Sequence, residues 1–107
     1  MQRICFSHLI KMDRMDQYEE AHKHVWPEVL EALTKAGWKN YSIFLNRKDG
    51  CLVTYFEVEN FQLALDAIAA DPISLKWQSE MVDFFVPVPG KSPANAFEDL
   101  VEVFHLD

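Results

Sequence analysis

Glycine is scarce in this 107-residue chain: Gly37, Gly50 and Gly90 are all there is, and they are scattered. That excludes a glycine-rich phosphate loop, and no G-x-S-x-G nucleophile elbow exists. Cysteine is nearly absent. Cys5 and Cys51 cannot build the multi-bridge framework of a small secreted domain, and each lies in an apolar run that reads as a buried thiol. No stretch approaches the ~18 apolar residues of a membrane span. The first residues hold no long apolar segment, so no secretory leader is expected and the cytoplasm is the expected location. Positive charge is in the minority: 10 Lys and Arg against 17 Asp and Glu give a net charge of −7. Such a chain suits neither a nucleic acid nor an anionic membrane as partner. Close metal-ligand pairs are missing as well. His22 and His24 are the one close histidine pair, and i and i+2 on a helix point to different sides, so no metal site is expected.

What is abundant is apolar and aromatic. Half the residues are hydrophobic, with eight Phe, three Trp and three Tyr. The length fits a single domain over 1–107. Residues 2–10 alternate, with Ile4, Phe6, His8 and Ile10 on one side and Cys5, Ser7 and Leu9 on the other, which predicts a half-buried strand. Helical periodicity follows over 14–36, opened by Asp13 as cap. Pro27 divides it into helices over 14–24 and 27–36, the second stopped by Gly37. Two β-rich runs, 38–47 and 51–59, flank a hairpin turn ending in Asp49-Gly50. A helix over 61–70, capped by Asn60, is broken at Asp71-Pro72, and a shorter one runs over 73–81. Pro87 and Pro89 keep residues 83–88 out of a central strand, and residues 89–93 read as loop. A closing strand is predicted over 97–106. The order β–α–β–β–α–β predicts an α+β ferredoxin-like sandwich: an antiparallel sheet with its helices on one face. The other face is left to solvent, to a second subunit or to a pocket.

Chemistry-bearing side chains concentrate in the first helical segment. Tyr18, His22 and Trp26 stand at i, i+4 and i+8. If the helix runs through, a phenol, an imidazole and an indole share one face. Such a stripe suits a small polyol. The indole stacks on the C–H face of a sugar ring, the phenol orients a hydroxyl, and the imidazole moves a proton near neutral pH. The same spacing also suits plain core packing. Tyr41 in the second strand and Trp77, with Lys76 beside it, form a second aromatic group that reads equally as packing. Trp38 reads as a core or interface aromatic, and His8 and His105 as structural or subunit-contact residues. The acidic residues Asp16, Glu19 and Glu20 read as a solvated helix face.

The stretch from Tyr18 through His22 to Trp26-Pro27-Glu28 resembles the Y-x-x-x-H-x-x-[VI]-W-P-E signature of the L-rhamnose mutarotase family. Asn40-Tyr41-Ser42-Ile43-Phe44-Leu45 resembles that family's second strand, and Trp77-Gln78-Ser79-Glu80-Met81 and residues 100–106 are similar too. The resemblance spans nearly the whole chain. It implies a dimeric enzyme that interconverts the α and β anomers of a 6-deoxy sugar without a cofactor. It places the catalytic histidine at His22, sugar-contacting tyrosines at Tyr18 and Tyr41, and a substrate-contacting tryptophan at Trp77. Family members often carry two adjacent Trp there, whereas this chain has Lys76 before Trp77, which alters the pocket wall.

The implied reaction breaks the ring C1–O5 bond. One proton must reach O5 while another leaves the anomeric hydroxyl, and the aldehyde then rotates and recloses. On this reading His22 is the proton donor, Tyr18 and Tyr41 are hydrogen-bonding groups, and Trp77 and Trp26 are pocket walls, with Lys76 next to the sugar. A homodimer is expected, with residues 98–106 near its interface. The alternatives are L-fucose or another 6-deoxy sugar as substrate, a cofactor-independent monooxygenase of the dimeric ferredoxin-like type, and a non-catalytic sugar-binding module.

Overall fold

The eight residues Gln2–Leu9 make the strand β1, which runs antiparallel along its whole length to β3 (Cys51–Val58), whose burial alternates strictly. The computed structural model describes residues 1–91 and 96–107. Strand β2 (Lys39–Asn46) pairs antiparallel with the other edge of β3, and β4 (Glu98–Asp99) with β1, giving the sheet order β2-β3-β1-β4. The helices are α1 (Met15–His22), α2 (Pro27–Ala36), α3 (Phe61–Ala69) and α4 (Pro72–Met81), with short 3-10 turns at Met12–Arg14 and Val82–Phe84.

The register places Ile4 opposite Phe56, Phe6 opposite Thr54 and His8 opposite Leu52, so these residues share one face of the sheet. That face is the core. Leu52, Phe56 and Val58 are 0–2% exposed. Tyr18 of α1 and Met81 of α4 pack with Ile10, Leu52 and Phe84, while Ala64 of α3 packs with Phe56 and Val58. The helices therefore lie on one face, as the element order predicts.

Proline sets the helix breaks. Pro27 and Pro72 each occupy the first turn of a new helix, where the missing N–H costs nothing. Pro27 also forces the residue before it out of helical geometry, and Trp26 has φ −59° and ψ 133°. Helix α1 consequently ends at His22 rather than running to residue 24. The expected cap of α3 holds, Asn60 Oδ1 accepting from the Leu63 N–H at 3.0 Å, and Asp71, expected only as part of the helix break, caps α4 by accepting from the N–H and hydroxyl of Ser74. Asp13 does not cap; it sits inside the 3-10 turn, and no side chain caps α1. At the hairpin, Gly50 has φ +77°, and a Cβ there would meet the Ile10 carbonyl oxygen at 2.7 Å, so the turn requires glycine.

Two expectations are corrected. The closing strand over 97–106 shrinks to Glu98–Asp99. After Leu100 donates its N–H to the Cys5 carbonyl the chain leaves the ladder, and Val101, Val103, Phe104 and Leu106 stand 79–93% exposed outside any described strand. Cys5 and Cys51 are half-buried rather than buried, because they fall on the sheet face that the helices do not cover. In the expected loop over 89–93, Ser92 and Pro93 lie outside the described residues.

Candidate active site

Helix α1 has eight residues and little intrinsic stability of its own. Packing fixes it: Tyr18 is 6% exposed and meets Phe84 edge-on at 5.5 Å. Four residues on, the His22 ring lies over the Tyr18 ring, centroids 4.2 Å apart and planes 32° apart. The His22 Nδ1 is 2.9 Å from the Tyr18 carbonyl oxygen. A carbonyl only accepts, so Nδ1 carries the hydrogen, and in the neutral ring Nε2 keeps a bare lone pair. Burial pulls the His22 pKa below its usual value, and the carbonyl bond offsets this only in part. The imidazole is thereby held neutral at pH 7 in the tautomer that accepts a proton at Nε2.

Helix α4, capped by Asp71, carries Trp77 to the same place. Its indole meets His22 edge-on at 5.7 Å and Trp26 at 5.1 Å. Trp26 thus joins the cluster from the start of α2, not by sharing a continuous helix face with Tyr18 and His22. Lys76 is exposed, its ammonium 5.8 Å from the centre of the Trp26 ring, within cation–π range. A groove of about 400 Å³ opens beside the two indoles, lined by Gln17, Glu20, Ala21, His24 and Glu80 as well. Trp26 and Trp77 are the side chains that this groove and the ring cluster share.

Tyr41 approaches from the sheet. Its ring packs edge-on against Phe56 at 5.6 Å, on the helix-covered face. The residue as a whole is 44% exposed, yet burial around its hydroxyl pushes its pKa up to about 12. Tyr18 is pushed further up, first by burial and then by negative charge on Tyr41. The two phenols therefore sense one another and both remain protonated donors at neutral pH.

Tyr18, His22, Trp77 and Trp26 form one chain of ring contacts, Tyr41 faces it from β2, and Lys76 stands at its outer edge. Trp38 stacks on Phe56 at 4.7 Å and belongs to the core. His8 is wedged between Phe6 and Phe85, and burial lowers its pKa to about 4; it takes no part in this cluster. His105 lies far along the chain, against Arg3 and Asp107. Among the described residues, no three His, Cys, Asp or Glu side chains come together to hold a metal ion.

One participant was not foreseen. Arg47, in the hairpin turn, donates to Glu19 and Asp16 at 2.9 Å each. Among the described residues these are the only side-chain hydrogen bonds from α1 to another element. The acidic face of α1 is thus partly a fastening to the hairpin rather than simply solvated. The signal in the sequence is faint: a lone arginine in a turn, 28 and 31 residues from its partners.

Comparison with known proteins gives a consistent result. A sequence model of the L-rhamnose mutarotase family matches residues 3–106. The L-rhamnose mutarotase of Oceanobacillus iheyensis is 36% identical over 107 residues, covering 100% of both chains. That of Listeria monocytogenes is 37% identical over 106 residues, 99% of each. The crystal structure of an L-rhamnose mutarotase from Formosa agariphila matches with a TM-score of 0.81 at 25% identity, covering 100% of both chains. A dimeric ferredoxin-like protein from an uncultured marine organism matches at 0.63 with 12% identity, covering 98% of this chain and 96% of its own, and shares the fold alone.

Proposed function

The chain belongs to the L-rhamnose mutarotase family, and we propose that it interconverts the α and β anomers of L-rhamnose with His22 as the proton-transfer group. The observation that carries the site assignment is the His22 tautomer. Its Nδ1 is occupied by the Tyr18 carbonyl, so the free Nε2 is a base before it is an acid. In ring opening, Nε2 takes the proton of the anomeric O1–H. The C1=O1 double bond forms, the C1–O5 bond breaks, and O5 takes a proton from a water hydrogen-bonded by the neutral phenols, which takes that proton back when O5 recloses on C1. After rotation about C1–C2 the imidazolium returns its proton to O1 as O5 closes on the other face of C1. His22 is then the donor of the closing half-reaction and the acceptor of the opening one. No electrons leave the sugar, and the two proton transfers cancel over the cycle.

Tyr41 and Tyr18 serve this chemistry as neutral phenols. Their raised pKa values favour hydrogen-bond donation to sugar oxygens over loss of the proton. Trp77 and Trp26 supply apolar walls for the C–H face and the methyl group of a 6-deoxy sugar. Positioned acid–base catalysis of this kind contributes ~10²–10⁴-fold. The marine ferredoxin-like neighbour shares only the fold and lends nothing to an oxygenase reading.

A homodimer completes the proposal. The sheet face away from the helices carries Leu9 and Phe44 at 46% and 64% exposure, and Val101, Val103, Phe104 and Leu106 are more exposed still. A second copy of the chain is the occupant that would cover these apolar side chains with side chains of the same kind across a two-fold axis. The cytoplasm is the proposed location, supported by two free thiols and by the lack, among the described residues, of a helix long and apolar enough to cross a membrane.

Saturation-transfer NMR on equilibrated L-rhamnose and L-fucose tests the activity. Catalytic amounts of protein are expected to speed exchange between the anomer signals of L-rhamnose. Faster exchange for L-fucose alone would reassign the substrate, and no acceleration for either would overturn the proposal.

A further inference from the structure

Strand β2 contains an irregularity on which the site depends. Lys39 pairs with Glu57 and Ser42 pairs with Tyr55, so three steps along β2 match two along β3. One residue is extra, and the backbone identifies it: Asn40 has φ +50°, the one non-glycine residue with positive φ among those described. Side chains alternate along a strand, so in a regular β2 Tyr41 would share a face with Lys39 and point away from the helices. The extra residue shifts the alternation by one. Tyr41 turns to the covered face, against Phe56, and Ser42 takes the open side opposite Tyr55. The Asn40 amide donates to Glu57 Oε1 at 3.0 Å, so its side chain stays on the open side next to that of Lys39.

We propose that Asn40 is a positioning residue: its left-handed backbone forms the bulge that aims the Tyr41 hydroxyl into the sugar site. Bulges re-aim side chains in this way next to active sites. Among residues with a Cβ, asparagine is one of the few that adopt positive φ readily, whereas a β-branched residue there is strained. The role rests on the proposed activity for its consequence, but the aiming itself does not. Asn40 acts through Tyr41 and touches no sugar. The backbone rather than the carboxamide does the work, so glycine substitutes for it and valine does not.

The test compares Asn40→Gly, Asn40→Val, Tyr41→Phe and the double variant Asn40→Val with Tyr41→Phe. Two readouts are taken: L-rhamnose anomer exchange, and the nuclear Overhauser contact between the Tyr41 and Phe56 rings. Asn40→Gly should keep the ring contact and exchange within about twofold of the parent. Tyr41→Phe should slow exchange by about tenfold, the size of one hydrogen bond. Asn40→Val should lose the ring contact and slow exchange at least as much, and adding Tyr41→Phe to it should cost nothing further. The proposal is overturned if Asn40→Val keeps the contact and the parent rate. It is equally overturned if Asn40→Gly loses both, which would assign the role to the amide bond with Glu57. Should Asn40→Val fail to fold, the glycine variant alone decides between those two accounts. If the parent protein speeds no exchange, the activity falls while the ring contact still judges the aiming.

Discussion

The two faces of the sheet come from the same four strands and the same period of two, yet they differ in nearly every physical property. On the covered face, Leu52, Thr54, Phe56 and Val58 are 0–2% exposed and the helices complete the packing. On the open face the alternate positions of β3, Cys51, Val53, Tyr55 and Glu57, are half-exposed, and the neighbouring Phe44 is 64% exposed. The titratable groups follow the same division. His8, His22, Tyr18 and Tyr41 belong to the covered side, and burial displaces each of them toward the neutral form. Arg3, Glu57, Glu102 and His105 gather on the open side as ion pairs and hydrogen bonds within reach of solvent. The contrast teaches that the covered face holds its histidines and its two phenols neutral by burial, whereas the open face keeps ion pairs at its edge and exposed apolar side chains beside them.

Breaking the covered face should have the largest effect. His22→Ala is expected to bring L-rhamnose exchange to the uncatalysed rate, a loss of ~10²–10⁴-fold, while thermal unfolding shows that the fold survives. A variant that retains most of the exchange would place the base elsewhere.

The next effect is on stability in acid. Because burial holds His8 near pKa 4 against 6.5 for a free imidazole, the unfolded chain binds a proton that the folded chain refuses between those values. The stability that the neutral ring allows is therefore complete above pH 6.5 and is lost as pH falls toward 4. The loss is about 2 kcal/mol after allowance for partial exposure. Denaturant unfolding at pH 7 and pH 4.5 reads this, and His8→Gln should flatten the difference attributable to this site.

The open face is broken at the tail. Val103→Asp combined with Phe104→Asp should shift the sedimenting species from dimer to monomer at micromolar concentration, with exchange per chain changed less than about threefold. A monomeric parent protein would contradict the pairing. Smallest is the fastening of α1: Arg47→Ala removes exposed, solvent-screened ion pairs and should leave the denaturant midpoint nearly where it is in the parent. A clearly lowered midpoint would mean that the hairpin supports the covered face more than its exposure implies.

How far these features could be read in advance depends on their range along the chain. Tyr18 and His22 are four apart on a helix, so local periodicity suffices to join them. Asn60 as a cap, Pro27 and Pro72 as helix starts and Gly50 in the turn are local too, and each stands where expected. Trp26 shares a helix face with Tyr18 and His22 only if one helix runs through, which the proline does not permit. It arrives instead through Trp77, a contact across 51 positions that no periodicity encodes. Tyr41 carries a family resemblance in its flanking residues, but its aim depends on an extra residue that simple alternation hides. Arg47 pairs across the fold, and its partners look like any solvated acidic helix face. The tail reads as a strand because Leu100, Val101, Val103, Phe104 and Leu106 have the composition of one. Composition does not supply the backbone partners that a ladder needs, and among the described residues the tail pairs with β1 no further than the Leu100 bond to Cys5.

The most direct test of the account is the pH dependence of kcat/KM for L-rhamnose exchange, corrected for the acid-catalysed background. With Nδ1 tied to a carbonyl and the ring buried, the active form of His22 is the neutral base, and its pKa lies below 6.5. The predicted profile is level around neutrality and falls as a single group protonates below pH 6.5, with the same ionisation seen in the ¹⁵N resonances of His22. A profile that climbs as the pH drops through 6, so that imidazolium is the active form, would contradict it.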